Sequence, residues 1–247
     1  MSFSGIYTIA EKTFLLNTTY EYSHIESKEY SSSKVPEFTI EIQETDIEFE
    51  QKKSDSERKT EGLAPYKFQP EYLEFLSVLR KLSEKLLEYD CILFHGSSFA
   101  LDEDGYILTA KSGTGKSTHA SFWRKEFGDR VKVINDDKPI LKIHDEITIF
   151  GTPWNGKHKL GANVSAPLKN IFILNRGEKN TVEKIEKKDA FGLILQQTHK
   201  SSDPIKVAKT LGLIDNMLNK VNIYKIHCNL DPVCAKEIFC GMKGCNL

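Results

Sequence analysis

The segment Ala110-Lys111-Ser112-Gly113-Thr114-Gly115-Lys116-Ser117 constrains this 247-residue chain more than any other stretch. It fits the phosphate-cradling P-loop pattern, with Ala110 in place of the first glycine. Gly113 and Gly115 allow the backbone to turn its N–H groups inward around phosphate oxygens. Lys116 then supplies a mobile positive charge for the β- and γ-phosphates, and Ser117 offers a hydroxyl to Mg²⁺. Such a loop works between a strand and a helix, where the positive end of the helix dipole faces the anion. Tyr106-Ile107-Leu108-Thr109 reads as that strand, and Thr118 to about Phe127 as that helix. The expectation is an α/β fold that binds a nucleotide through Ser112, Gly113, Thr114, Gly115, Lys116, Ser117 and Thr118.

Two further features narrow the reading. Gly128-Asp129 ends the helix, and Val131-Lys132-Val133-Ile134-Asn135 then runs into Asp136-Asp137. Carboxylates at the C-terminal end of a strand beside a phosphate loop are what a Mg²⁺ site requires. Asp136 lies only 19 positions after Ser117. One short helix and a return strand fill that interval, so the acidic strand is expected to neighbour the P-loop strand. The plainer alternative is a solvated turn leading into Lys138-Pro139. His95 follows the apolar run Cys91-Ile92-Leu93-Phe94 and precedes Gly96, which permits close backbone approach. It is either a structural histidine or a participant in catalysis.

Residues 1–65 read as a small β-rich part and 66–247 as the catalytic domain. In the first part Phe38 to Gln43 alternates apolar and polar residues, and Ile47-Glu48-Phe49 resumes the pattern after a turn. Ser31 to Ser33 and Lys52 to Lys59 read as solvated loops. A helix begins near Pro70, with Tyr72, Phe75, Leu76, Leu79, Leu82 and Leu86 on its core face. Strands are then predicted at 91–94, 97–100, 106–109 and 131–134, with a hairpin over 140–149 and further strands at 171–174 and 223–226. Helices are predicted near 189–198 and 204–219, and a terminal one after Asp231-Pro232.

Composition excludes several classes. The formal charge is −1 and the basic residues are dispersed, which argues against a nucleic-acid partner. No apolar run reaches the length of a membrane span, and no leader pattern opens the chain, so a cytoplasmic protein without a membrane partner is expected. Of the five cysteines, Cys91 sits in an apolar run and reads as a small buried hydrophobe. Cys228, Cys234, Cys240 and Cys245 crowd the C-terminal tail without a CxxC pair, and the spacing favours free thiols over a zinc site.

The order His95-Gly96, Ser112-Gly113-Thr114-Gly115-Lys116-Ser117, Asp136-Asp137 resembles the HPr kinase/phosphorylase catalytic domain. Ser-Gly-Thr-Gly-Lys is also similar to the phosphate loop of phosphoenolpyruvate carboxykinase, whose nucleotide core that family shares. The nearest likeness is to the small HPr-kinase-like proteins, including kinases that tailor lasso peptides. Thr152-Pro153-Trp154-Asn155-Gly156-Lys157, Ser165 to Lys169 and Ile171 to Leu174 fit that subgroup. The likeness covers roughly residues 68–235. The glycine-arginine-rich signature that follows the aspartates in true HPr kinases is missing, which puts HPr itself in doubt as the substrate.

The resemblance implies a phosphoenolpyruvate carboxykinase-like P-loop core with a mixed sheet. It also implies an ATP- and Mg²⁺-dependent kinase acting on a hydroxyl, either a serine of a peptide or protein or a small-molecule alcohol. Lys116 would neutralise phosphate charge, and Ser117 with one of Asp136 and Asp137 would hold Mg²⁺. The other aspartate, helped by His95, would accept the proton of the acceptor hydroxyl. Lys157 and His158, on a Gly-containing loop after Trp154, are either the best-placed cations for the transferring phosphoryl group or part of a surface loop, and Trp154 could face the nucleotide or the acceptor. The alternative is a nucleotide-binding regulatory or assembly protein without turnover. A carboxykinase is disfavoured because the chain is short and lacks a second metal constellation.

Overall fold

The structure, a computed structural model, describes residues 2–111 and 113–244. Ser112 and Cys245 therefore lie outside the described residues. The chain divides into two compact units, Met1–Leu86 and Leu87–Leu247.

In the first unit β1 (Phe3–Ile9) and β2 (Lys12–Thr18) form an antiparallel hairpin. Its two-residue turn holds Ala10 and Glu11 at φ 50° and 64°. That is the left-handed pair a tight hairpin needs, reached without the usual Asn-Gly. A short helix, α1 (Tyr22–Glu26), leads on to β3 (Phe38–Glu41), which pairs parallel to β2. Two 17-residue helices follow, α2 (Glu44–Thr60) and α3 (Pro70–Leu86).

This unit is less β-rich than its sequence predicts. The expected strand at 47–49 and the expected loop at 52–59 are both inside α2. A three-residue alternation is too short to separate a strand from one face of a helix. Capping settles the matter: Gln43 and Asp46 form a reciprocal capping box, with acidic residues in the first turn and basic ones in the last. What docks α2 is polar. Arg80 of α3 donates to Glu50 at 2.6 Å and to Asp46 at 3.0 Å. The predicted boundary at 65/66 assigns α3 to the second part, whereas α3 packs on α1, α2 and β3 and belongs to the first.

The second unit is a mixed α/β structure. Its elements run β4 (Cys91–Leu93), β5 (Ser97–Leu101), β6 (Asp104–Thr109), α4 (Lys116–Phe127), β7 (Val131–Asn135), β8 (Ile140–Ile143), β9 (Ile147–Phe150) and β10 (Ser165–Arg176). Then come β11 (Thr181–Lys184), α5 (Lys187–Gln196), α6 (Pro204–Leu218), β12 (Asn222–Cys228) and α7 (Cys234–Lys243). These nine strands form one sheet in the order β4-β8-β9-β10-β6-β5-β7, with β12 on β10 and β11 on β12.

The long strand β10 is the spine. Ser165–Pro167 pairs antiparallel with β9, and the rest runs parallel to β6 and β12. Successive side chains point to opposite faces of a strand, and here both faces are apolar. Ile107, Ile171 and Ile173 join Ile194 of α5 and Ile214 and Met217 of α6 in one core. Tyr106, Leu108, Phe172 and Leu174 join Trp123 of α4 and Ile238 of α7 in the other. The second core is aromatic: Phe172 is stacked on Tyr106 at 6.0 Å and on Trp123 at 5.7 Å. Among the described residues, no helix is long and apolar enough to cross a membrane.

The acidic strand does not neighbour the P-loop strand as its sequence spacing predicts. β5 turns back on β6 through Asp102, at φ 56°, and occupies that edge first, so β7 pairs with β5 instead. Because β5 is antiparallel to both, β6 and β7 still run parallel and end at the same edge of the sheet.

Phe172 sits between three rings with no exposed surface. Phe172→Ala is expected to lower the unfolding free energy by about 3–5 kcal/mol. Both tryptophans, Trp123 and Trp154, are in the second unit, so urea unfolding followed by their fluorescence reads this unit alone. An unmoved midpoint would contradict the packing account.

Candidate phosphotransfer site

β6 ends at Thr109 and α4 begins at Lys116, so the phosphate loop occupies the predicted strand-to-helix junction. Its glycines are there for conformation: Gly113 has φ +75° and Gly115 φ +114°, and a side chain would be strained at either. Thr114 closes the loop by donating its hydroxyl to Lys111 O at 2.8 Å. Lys116 donates to Ala110 O at 3.3 Å, folded back across the loop mouth. Ser117 is half-buried and Thr118 exposed, both in the first turn of α4.

At the end of β7 the two aspartates have different surroundings. Asp136 is 5% exposed. Its Oδ1 accepts the Gly156 N–H at 2.6 Å, while Oδ2 is buried with no hydrogen-bond partner. A buried carboxylate oxygen left unsatisfied is costly unless something occupies it. The donor chemistry suits a hard oxygen-seeking cation. Asp137 is about a third exposed and meets His95, whose Nε2 lies 3.2 Å from Oδ1, with the Lys138 ammonium at 3.6 Å. Burial pushes the Asp137 carboxyl up, but the His95 hydrogen bond and the charges of Lys138, His95 and Lys116 outweigh it. The net result is a carboxyl held below its ordinary range. The Lys116 ammonium is drawn below its usual range, chiefly by burial, against the pull of Asp137.

His95 is positioned by its backbone. Its N–H donates to Gln197 O at 2.7 Å, and its carbonyl accepts the Thr109 hydroxyl at 2.9 Å. The next N–H, from Gly96, donates to Asp137 O at 3.0 Å. A Cβ at Gly96 would lie 2.8 Å from Ile107 Cγ2 and 3.0 Å from Leu108 O, so only glycine allows this approach. The predicted set His95, Asp137 and Lys116 is thus brought into one electrostatic group.

Three residues that the sequence did not single out hold the site together. Asn135 is fully buried; its Oδ1 accepts the N–H groups of Asp137 at 2.8 Å and Lys138 at 2.6 Å. Its Nδ2 donates to Thr152 O at 3.0 Å, which ties the 151–164 loop to β7. Arg176, at the end of β10, donates to Gly113 O at 2.6 Å and Thr114 O at 3.3 Å and so clamps the phosphate loop. Gly156 contributes only a backbone N–H, which no side-chain pattern could have revealed. A cavity of about 480 Å³ borders the phosphate loop, lined by Lys111, Gly113, Thr114, Asn175, Arg176 and Gln196 among others. That volume is within the range of small-ligand sites.

Other expectations fare differently. Lys157 follows Gly156 but is exposed, as is His158. Trp154 is 4% exposed, so it belongs to the interior and presents no face to an acceptor.

No family model matches the chain, and no curated protein matches it. Among solved structures, it is similar to the HPr(Ser) kinase/phosphatase from Coxiella burnetii, at 11% sequence identity and a TM-score of 0.35. The match covers 61% of this chain and 95% of the other. At that level of similarity, function has to come from this chain's own residues.

Asn135→Ala would leave two backbone N–H groups without their acceptor in a closed pocket. A loss of about 2 kcal/mol or more in unfolding free energy is expected, measured by denaturant titration. A loss under a few tenths of that would mean that water replaces the side chain.

Proposed function

We propose that the chain is a Mg·ATP-dependent phosphotransferase with a phosphoenolpyruvate carboxykinase-like P-loop core. It would transfer the γ-phosphoryl group to a hydroxyl, either a serine of a peptide or protein or a small-molecule alcohol. One observation carries this reading. The phosphate loop, the orphaned Asp136 carboxylate and the His95–Asp137 pair converge where two parallel strands end. A nucleotide-binding module needs the loop alone. A base paired with a histidine beside it is the equipment of transfer.

The unlike surroundings of the aspartates divide their roles. Asp136, fixed by Gly156 and carrying a free buried oxygen, would hold Mg²⁺ together with Ser117. The bound ion would neutralise charge on the phosphate oxygens. Gly113 and Gly115 would present N–H groups to phosphate oxygens, with Lys116 leaving Ala110 to join them. Asp137, charged and about a third exposed, would accept the acceptor's hydroxyl proton as the new oxygen–phosphorus bond forms and the bond to the ADP oxygen breaks. His95 orients that carboxylate. The cavity beside the loop offers room for the nucleoside. Lys157 remains a candidate for the phosphoryl group only if its loop closes on the substrate.

Asp137→Asn should reduce transfer from ATP about 10²–10⁴-fold while nucleotide affinity changes little, read by labelled-phosphate transfer beside ATP titration. Asp136→Asn should instead raise the Mg²⁺ concentration needed for half-maximal binding of the nucleotide complex. Full transfer activity in both variants would sink the assignment. Tight ATP binding by the native chain, with no ADP formed against any acceptor in a mixed peptide and metabolite extract, would favour a regulatory protein.

The pH dependence follows from Asp137. A base with a depressed pKa is ionised above that pKa and loses activity only as pH falls through it. The acidic limb of the transfer rate at saturating ATP should lie below the ordinary carboxylate range. His95→Ala removes the main lowering contact and should move the limb upward.

A further inference from the structure

The second core holds a group of side chains that the phosphotransfer site does not use. His119 is in the first turn of α4, Cys228 is the last residue of β12, and Cys234 is the first residue of α7. Their exposures are 3%, 3% and 1%. Their donor atoms all lie within 4.8 Å of one another, and Cys234 Sγ is 3.4 Å from His119 Nδ1. We propose that His119, Cys228 and Cys234 form a structural site for a thiophilic divalent transition metal, Zn²⁺ being the expected ion.

Geometry, charge and surroundings support the assignment. Tetrahedral zinc with sulfur and nitrogen ligands has S···N edges of about 3.6 Å, from bond lengths of about 2.3 Å and 2.0 Å. The Cys234–His119 separation is already near that edge. On binding, each thiol loses its proton to solvent as its sulfur bonds the metal, which remains divalent. Two thiolates then balance the ion's charge, so the filled site carries no net charge into an apolar interior. Three protein ligands leave the fourth tetrahedral position to water or one further donor.

The ring of His119 stands edge-on to Phe122 at 5.3 Å, which limits its rotation. Neighbouring cysteines in a buried cluster otherwise form a disulfide or remain thiols. Cys228 and Cys234 are unbridged. The sequence favours free thiols because Cys228 and Cys234 match no zinc spacing by themselves. The histidine that completes the set comes from a helix more than a hundred residues earlier, which spacing rules do not cover.

The ion would join three elements at the point where α4 leaves the phosphate loop. Cys228 pairs in register with Arg176, whose guanidinium holds Gly113 and Thr114. A filled site would therefore tie α4 and α7 to the strand β12 that pairs with Arg176.

The test uses the full chain, expressed in zinc-replete medium and purified under reductant without chelator. Elemental analysis should find about one zinc per chain. Addition of Co²⁺ to the metal-stripped, fully reduced protein should give a thiolate-to-cobalt charge-transfer band with tetrahedral d–d bands. Cys234→Ser and Cys228→Ser should each weaken the charge-transfer band and lower zinc content, His119→Asn should lower zinc content, and Cys91→Ser should leave both unchanged. The wild-type spectrum stands even if a variant fails to fold. A reduced wild-type chain that carries no zinc and gives no charge-transfer band overturns the proposal. So does a metal retained unchanged in the Cys228→Ser/Cys234→Ser double variant.

Discussion

The site depends on one pairing, that of β5 between β6 and β7. Both contacts are antiparallel, so the two outer strands run the same way and finish at the same edge. The segment 110–117 leaves from the end of β6 and Asp136-Asp137 from the end of β7. Strand separation is about 4.8 Å, so the intervening strand sets the two functional segments roughly 10 Å apart. That gap leaves room for a ligand, where directly adjacent strands would crowd it. The inserted strand brings its own fixings: Ser97 and Ser98, both buried, donate their hydroxyls to the carbonyls of Asp136 and Asn135 at 3.1 and 3.0 Å. His95 lies just before this strand, which explains how a residue distant in sequence from Asp137 reaches it.

Parts of this were legible in the chain and parts were not, for physical reasons. The loop was readable because positive φ at Gly113 and Gly115 leaves a residue-type signature, and because a strand and a helix flank it. Apolar runs identified most strands of the second unit, since a sheet covered on both faces must be hydrophobic on both. Strand order was not readable. A 19-residue interval is compatible with adjacent strands or with one strand between, and only the hairpin at Asp102 decides. The helix at 44–60 was missed because its docking is through Arg80, Glu50 and Asp46 rather than an apolar stripe. Asn135 reads as a strand terminus until its two acceptor roles are seen. Gly156 acts through a backbone N–H, which has no side-chain signature at all.

The two aspartates illustrate how neighbours in sequence acquire different chemistry. Adjacent residues at a strand end point to opposite sides, so Asp136 turns inward toward Gly156 and Asp137 outward toward His95. Burial opposes ionisation at Asp137, yet the charges of Lys116, Lys138 and His95 offset it. At Asp136 no cation among the described residues forms an ion pair, and one oxygen has no partner. Placing the positive charges on one carboxylate and none on the other keeps the first anionic and leaves the second open to an exchangeable cation. Had Lys138 faced Asp136, the ammonium would have occupied the position that the proposed Mg²⁺ would need.

The cradle itself is held from two directions, which bears on how it can work. In front, Lys116 rests on Ala110 O and would have to leave it to reach a phosphate. Beside it, Arg176 grips Gly113 and Thr114 through their carbonyls. A peptide unit whose carbonyl is held has its N–H directed the opposite way, because the peptide is planar and trans. The guanidinium therefore fixes the orientation of the Thr114 and Gly115 N–H groups, the first of which also donates to Lys111 O at 3.3 Å. Arg suits this better than Lys, since its planar fork bonds two carbonyls at once. On the proposed reading, a phosphate would draw the Lys116 ammonium off Ala110 O while the loop backbone stays held by Arg176, so that little of the site would have to reorganise.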